Sequence, residues 1–505
     1  MVDVCIIGLG PVGAALANLL GMAGRRVLVL EREAAAYHLP RAVHFDEEVM
    51  RLFETMGLAE AIVQHTHVSP GMRFVDAEGR VLLEWPRPAG LGKMGWNSSY
   101  RFHQPDLERA LRAGLARFAG VQVVNGAEVV GLVQDDGGVD VTYRSDQVAS
   151  VRARYVVGCD GARSFVRGVI GEAPEALGFR ERWLVIDLIL RRPMPELGDW
   201  SVQFCDPARS ATYVRGTGMR RRWEIRLHAD EAPDAGLVWA LLARWIGPED
   251  AELERFAVYW FASVLAHPWR DRRLLIAGDA AHQTPPFLGQ GMCTGMRDVA
   301  NLAWKLDRVL GGFEPAELLD SYESERADHA RAYIALAVQL GGLINTTAAE
   351  AALPKAGPAR MSSIQPALGP GLAVGWDGLG RLVAPQPMLS DGRRLDAVVG
   401  YRFALLMRPD ITLAEAHARH LAASDIVLVA DGALLGWLHE AGCIAVALRP
   451  DRYILGAARD DGELARLLDQ ISRPIAAKGA GRECSASSAD PSALSACTTP
   501  EHDDR

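Results

Sequence analysis

Short apolar runs that stop at glycines and acids set the rhythm of this chain. Asp3-Val4-Cys5-Ile6-Ile7-Gly8 has the pattern of a strand buried on both faces. Ala14, Ala15 and Ala17 follow, small residues that let a helix pack close to a sheet, and Val27–Leu30 is the next strand, ended by Glu31. Leu107, Leu111 and Leu115 recur at i+4 and predict a helix over 105–118. Strands are expected over 121–157, with Asp135-Asp136-Gly137-Gly138 as a hairpin turn. Arg222–Leu227 alternates strictly, which predicts a half-buried strand entered from a turn at Gly216-Thr217-Gly218, and Val258–Phe261 reads as another strand. Leu274–Ala277 is again a buried strand. Met292, Met296, Val299, Ala303, Leu306 and Leu310 form one apolar stripe of a helix over 291–310. Ile426–Val429 and Ile444–Leu448 are the strands of a small α/β unit near the C-terminus.

The chemistry sits where strands end. Gly8, Gly10 and Gly13 form a G-x-G-x-x-G between strand and helix, with Pro11 inside the turn and Glu31-Arg32 at the end of the following strand. The first glycine permits the tight turn, the second lets backbone approach a pyrophosphate, and the third allows close helix packing. The acid accepts a bond from a ribose 2′-hydroxyl, and Glu31 rather than Arg there argues against a 2′-phosphate. Tyr155–Cys159 is a second strand that runs into a turn, Asp160-Gly161, within the pattern D-G-x-x-S-x-x-R. The third segment, Gly278-Asp279-Ala280-Ala281-His282-Gln283-Thr284-Pro285-Pro286-Phe287-Leu288-Gly289-Gln290-Gly291, joins a buried strand to the 291–310 helix. Unpaired N–H groups at such a helix start favour anions. Asp279 can hold ribose or ribityl hydroxyls, and Pro285-Pro286 stiffens backbone where a flat ring could lie.

The three segments together resemble the class A flavoprotein monooxygenases, the aromatic hydroxylases of the p-hydroxybenzoate hydroxylase type. The likeness extends to Pro40-Arg41-Ala42, an arginine-bearing loop, and to Arg101-Phe102-His103-Gln104-Pro105-Asp106-Leu107, similar to the R-x-x-Q-x-x-L segment whose glutamine meets the flavin. It runs by motif order from residue 1 to about residue 340. Arg221-Arg222-Trp223-Glu224 and Arg449-Pro450-Asp451-Arg452-Tyr453 add a likeness to 3-(3-hydroxyphenyl)propionate hydroxylases.

This resemblance implies an α/β fold. A Rossmann-like FAD-binding domain comes from 1–72, 97–173 and 271–344, and a mixed, mostly antiparallel substrate sheet from 73–96 and 174–270 is inserted into it. Residues 345–395 are expected as linker and loops, 396–472 as a thioredoxin-like C-terminal domain and 473–505 as a disordered tail. The implied cofactor is FAD, with NADH or NADPH as transient cosubstrate. The implied reaction hydroxylates a phenolic ring with O₂ through a flavin C4a-hydroperoxide. Cofactor-binding candidates are Gly8, Gly10, Pro11, Gly13, Glu31, Arg32, Arg41, Gln104, Asp160, Gly278, Asp279, Pro285, Gly289, Gly291 and Met292. On the substrate side the candidates are His44, Tyr213 and Arg215. A polyketide or quinone hydroxylase of the same fold and a non-catalytic flavin-binding redox sensor are the alternatives.

Composition narrows the partners. The net charge of −9 argues against nucleic acid. Seven scattered cysteines without a C-x-x-C suit reduced thiols in a cytoplasm rather than a disulfide frame or metal site. No apolar run reaches membrane-spanning length. A small aromatic substrate and O₂ are the expected partners, with a homodimer left open.

Overall fold

The computed structural model describes residues 1–35, 41–171, 173–345, 359–360, 365–373 and 379–471. Pro40, much of the expected linker and the expected disordered tail lie outside the described residues.

An eight-stranded sheet carries the nucleotide motifs. Leu274–Ile276, Val148–Gly158, Val2–Ile7, Val27–Glu31 and Val121–Asn125 lie side by side in that order and run parallel. Their apolar runs face helices on both sides: Val4, Cys5 and Ile6 are fully buried. Pro11–Met22, with proline in its first turn, packs on this sheet through Ala14, Ala15 and Ala17, and Gly291–Leu310 packs through its apolar stripe. The hairpin Glu128–Asp135 and Gly138–Arg144 extends one branch, and Asp135 closes its turn by accepting the N–H groups of Gly137 and Gly138. The helix expected over 105–118 is observed as Gln104–Leu115.

A nine-stranded sheet is inserted between these pieces. Its central strands Ala251–Leu265, Glu175–Leu190, Arg220–Arg226, Ala211–Arg215 and Ser201–Phe204 are antiparallel neighbours, and Gly71–Val75 and Val81–Pro86 extend it. On its outer face Leu184, Ile186, Tyr213, Trp223 and Ile225 bury against the helix Ala235–Leu242. On its inner face Phe74 and Trp183 meet Phe287 and Tyr333 of the nucleotide-binding part.

Here the structure corrects the sequence reading. Arg220–Arg226 is not half-buried; its five middle residues are all buried. The polar half of the alternation faces a second packed layer rather than water. Arg222 there donates to Asp187 at 2.7 Å, and Arg255 reaches the same carboxylate at 2.7 Å.

The C-terminal unit runs strand Ala404–Met407, helix Glu415–Ala423, strand Val427–Ala430, helix Leu435–Glu440, strands Ala445–Leu448 and Ile454–Ala458, and helix Asp461–Ile471. Val427–Ala430 is parallel to Ala404–Met407, whereas Ala445–Leu448 is antiparallel to both its neighbours. Buried charge docks this unit. Arg51 holds Asp396 at 2.6 Å and 2.8 Å, and Arg449 holds Glu325 at 2.8 Å.

Candidate active site

Three motifs meet because three parallel strands end together. Val2–Ile7, Val148–Gly158 and Leu274–Ile276 are adjacent, so Gly8, Asp160 and Gly278 emerge at one sheet edge. Backbone bonds stitch the turns: Cys159 N–H donates to Ile7 at 2.8 Å and Ala277 N–H to Gly158 at 2.9 Å. This is the strand-end crevice in which α/β sheets bind ligands.

The glycines answer to close approaches. Gly8 has φ +99°, and an added Cβ would stand 2.5 Å from the Cys159 carbonyl oxygen. A Cβ on Gly13 would collide with the Gly8 carbonyl. Gly10, at the helix start, has nothing within 4 Å of an added Cβ, so a methyl there would meet open space. Glu31 reaches back to accept the Leu9 N–H at 2.6 Å and the Glu33 N–H at 2.9 Å. Arg32 is exposed beside Glu33.

Asp160 caps the next helix through one oxygen, which accepts from Phe165 N–H at 2.7 Å and Val166 N–H at 3.2 Å. Its buried Oδ1 is without a hydrogen-bond partner among the described residues. Arg167, the last residue of the D-G-x-x-S-x-x-R pattern, donates to the Ala280 carbonyl at 2.8 Å and so clamps the second motif to the third.

In the third motif Asp298, within the long helix, organises the turn. It accepts the Gly278 N–H at 3.1 Å, lies 2.6 Å from His282 Nε2 and takes Arg326 Nε at 3.0 Å. Burial opposes ionisation of Asp298, but His282 and Arg326 outweigh it and hold its carboxyl below the usual range. His282 is therefore a buried support for the loop. Asp279 is exposed on the floor of the crevice. Protein crowding there pushes its carboxyl up against the pull of His282 and Arg41. Pro285 is buried, Pro286–Leu288 makes one turn of 3₁₀ helix, and Gly289 has φ +64°. Gly291 opens the long helix with nothing near an added Cβ, followed by half-buried Met292.

Gln104 Oε1 accepts the N–H groups of Arg41 and Ala42 at 2.9 and 2.7 Å, and its amide donates to Glu108 at 2.7 Å. It thus holds the arginine loop in place. Arg41 itself is exposed.

The substrate-side candidates fare differently. His44 is buried, with Nε2 2.9 Å from Ser99 Oγ and Nδ1 3.1 Å from the Gly289 carbonyl. Burial, aided by Arg101 and Arg87, pushes its pKa down to about 3. Both nitrogens are engaged, so His44 pins the Gly289 turn and is not poised as a base. Tyr213 and Arg215 lie on the outer face of the sheet: the Tyr213 ring is 4.9 Å from Trp223 and Arg215 pairs with Asp199 at 2.9 Å. Alternation told which residues share a face, but not which face looks inward.

What the sequence reading missed is the inner face. Arg222, Glu224, Asp187 and Arg255 form a buried charged cluster there, and Arg222 donates to the Arg41 carbonyl at 2.6 Å. The alternation of Arg222 and Glu224 was its only local signal. Beside the Gly289 turn lies a small cleft lined by His44, Asp46, Trp85, Arg87, Leu288 and Tyr333.

The unpartnered Asp160 Oδ1, the open Gly10 and Gly291 and the exposed Asp279 fit the FAD that the motifs imply. Comparison with known proteins agrees. A family model described as FAD binding domain matches residues 1–337. The chain is 38% identical, over 94% of its length and 95% of the relative's, to a probable NADH-specific resorcinol 4-hydroxylase of Rhodococcus jostii (strain RHA1). It is 39% identical, over 72% of its length, to a 3-(3-hydroxy-phenyl)propionate/3-hydroxycinnamic acid hydroxylase of Mycobacterium avium (strain 104), whose own length the match spans to 65%. Among solved structures, aklavinone-11 hydroxylase with FAD and aklavinone superposes with TM-score 0.80 at 21% identity, covering 94% of this chain and 99% of that one. The chain belongs to the FAD-binding domain family, among the flavin-dependent aromatic hydroxylases.

Proposed function

We propose that this enzyme hydroxylates a small phenol with NADH and O₂, with resorcinol and 3-(3-hydroxyphenyl)propionate as the substrates to try first. The observation that carries the reading is the convergence of the three motifs at the ends of adjacent parallel strands, clamped by Arg167 on Ala280. The full-length likeness to a relative named for NADH and resorcinol supports the choice of cosubstrate and ring. The likeness to aklavinone-11 hydroxylase, at 21% identity, bears on the fold alone, so a polyketide substrate has no separate support.

Bound FAD would supply electron transfer from the nicotinamide and activation of O₂. The chain's residues hold and shape the site. The Gly8–Gly13 loop and the start of Pro11–Met22 receive the pyrophosphate, and Glu31 the adenosine ribose. Asp279 and Asp160 hold the ribityl side. The Gly289–Gly291 turn and the N-terminus of Gly291–Leu310 face the ring, with Arg41 opposite. The inserted sheet closes the substrate space and excludes water.

The C-terminal unit is read as thioredoxin-like, on its strand order and its reversed third strand. Its described cysteine, Cys443, is buried and free. A cytoplasmic setting accords with the free cysteines. Among the described residues no helix is long and apolar enough to cross a membrane.

The test is NADH consumption with O₂ uptake in the presence of each phenol. Substrate-dependent stimulation with a hydroxylated product supports the reading. FAD-loaded protein that no phenol stimulates refutes it.

A further inference from the structure

The loop Arg449–Tyr453 of the C-terminal unit reaches the long helix Gly291–Leu310. Asp451 accepts from Asn301 Nδ2 at 3.1 Å and from Trp304 Nε1 at 3.2 Å. Two residues on, the buried Tyr453 donates its hydroxyl to Glu48 Oε1 at 2.9 Å. Burial and the Glu48 charge push that hydroxyl well above the usual tyrosine range, so it keeps its proton and stays a donor. Glu48 stands in the first turn of the helix Glu47–Thr55, and its other oxygen takes Arg297 Nε at 2.6 Å.

The buried Arg297 carries the contact on to the Gly289–Gly291 turn. Its Nη2 meets Asp46 Oδ2 at 2.6 Å, and its Nη1 donates to Gln290 Oε1 at 3.1 Å. Gln290 closes the ring by donating from Nε2 to the same Asp46 oxygen at 3.1 Å. A guanidinium is flat and rigid, so the two carboxylates fix its plane and the third bond aims Gln290. Turning that plane breaks buried ion pairs, which is costly. Glu48, Arg297 and Gln290 are not sealed away from ligands. All three line the cleft beside the Gly289 turn, and Glu48 and Arg297 also line a second cleft with Arg51, Asp451 and Arg452. An unbroken chain of hydrogen bonds, none longer than 3.1 Å, thus runs from Tyr453 to Gln290.

We propose that Tyr453 is a positioning residue for the flavin. It holds the Glu48 carboxylate, Glu48 orients Arg297, and Arg297 sets Gln290 and with it the Gly289–Gly291 turn. Without the hydroxyl the Glu48 carboxylate is free to turn toward either cleft, and Arg297 follows it. Docking of the C-terminal unit and FAD affinity are then coupled, and each favours the other. The inference rests on the reading above that the Gly289–Gly291 turn faces the flavin ring.

The experiment is a double-mutant cycle on the full chain with Tyr453→Phe and Gln290→Ala. Each protein is stripped of flavin and titrated with FAD, and binding is followed by quenching of flavin fluorescence. Tyr453→Phe removes one oxygen and leaves the Asp451 bonds to Asn301 and Trp304, so its apoprotein should melt within a few degrees of wild type. Its Kd for FAD should rise about tenfold, the size expected for coupling through a contact network. In the Q290A background the same change should shift Kd by less than about twofold, because the last link is already gone. A tyrosine with a merely structural role lowers melting in both backgrounds and leaves FAD affinity alone. Unchanged FAD affinity in Y453F, or an equal loss in both backgrounds, overturns the proposal. If Y453F does not fold, Glu48→Gln takes its place in the cycle, since it keeps the shape and removes the charge that holds Arg297, and the same outcomes decide. Q290A with wild-type FAD affinity overturns the placement of the turn against the flavin, and the proposal with it. Wild type that takes up no FAD overturns the flavin reading itself, and is told apart because it needs no variant.

Discussion

The Arg222 guanidinium donates to the Arg41 carbonyl oxygen at 2.6 Å, so the inserted sheet grips the Arg41 loop directly. The same side chain neutralises Asp187 in the protein interior at 2.7 Å. One residue thereby joins the packing of the inserted sheet to the position of the Arg41 loop. Replacing it with Met should leave a buried carboxylate with Arg255 as its remaining close cation, and loss of one partner from a buried ion pair costs about 3–5 kcal/mol. Denaturant unfolding of R222M should show a loss of that order. A loss below about 1 kcal/mol would mean that Arg255 alone satisfies Asp187.

Gly10 and Gly13 should separate ligand binding from folding. A Cβ at Gly13 strikes the Gly8 carbonyl, whereas a Cβ at Gly10 meets only open space. Gly10→Ala should therefore melt within a few degrees of wild-type apoprotein yet bind FAD poorly, because the added methyl stands where the pyrophosphate approaches. Gly13→Ala should lose both thermal stability and flavin. Equal flavin absorbance in Gly10→Ala and wild type would place the pyrophosphate elsewhere.

Asp279→Ala should purify largely colourless while keeping its fold. Asp279 is exposed in the crevice, so removing its carboxylate leaves the core undisturbed. Flavin content per chain is the readout, and a fully yellow variant contradicts the assignment.

Asp396 should make docking of the C-terminal unit acid-sensitive. Its burial is outweighed by Arg51 and Arg452, which bring its pKa down from 3.8 to about 2. The folded value lies below the unfolded one, so its contribution is complete above about pH 4 and fades as pH falls toward about 2. The shift corresponds to about 2 kcal/mol. Unfolding free energies of wild type at pH 6 and pH 3 should differ partly through this group, and Asp396→Asn should be less stable at pH 6 and show a smaller acid-induced loss. An unchanged pH dependence in the variant would count against it.

Much of the candidate cofactor site was legible in the chain because its chemistry is local. Gly8, Gly10, Gly13, Asp160, Gly278 and Asp279 each sit in a turn at a strand's end, where φ, close approach and free N–H groups are set by near neighbours. Family likeness then related those turns to one another. The substrate side was not legible. Alternation in Arg222–Leu227 marked two faces but could not say that both are buried, nor which face of the sheet would carry Tyr213 and Arg215.

The sequence by itself determined which short segments become strands and glycine turns. Only the tertiary structure decided that Arg167 clamps Ala280, that Arg222 holds the Arg41 loop, and that Arg222 and Arg255 share the Asp187 carboxylate. The physical reason is distance along the chain. Turn geometry depends on residues a few positions apart, whereas burial and charge pairing depend on which distant strands the sheet sets side by side.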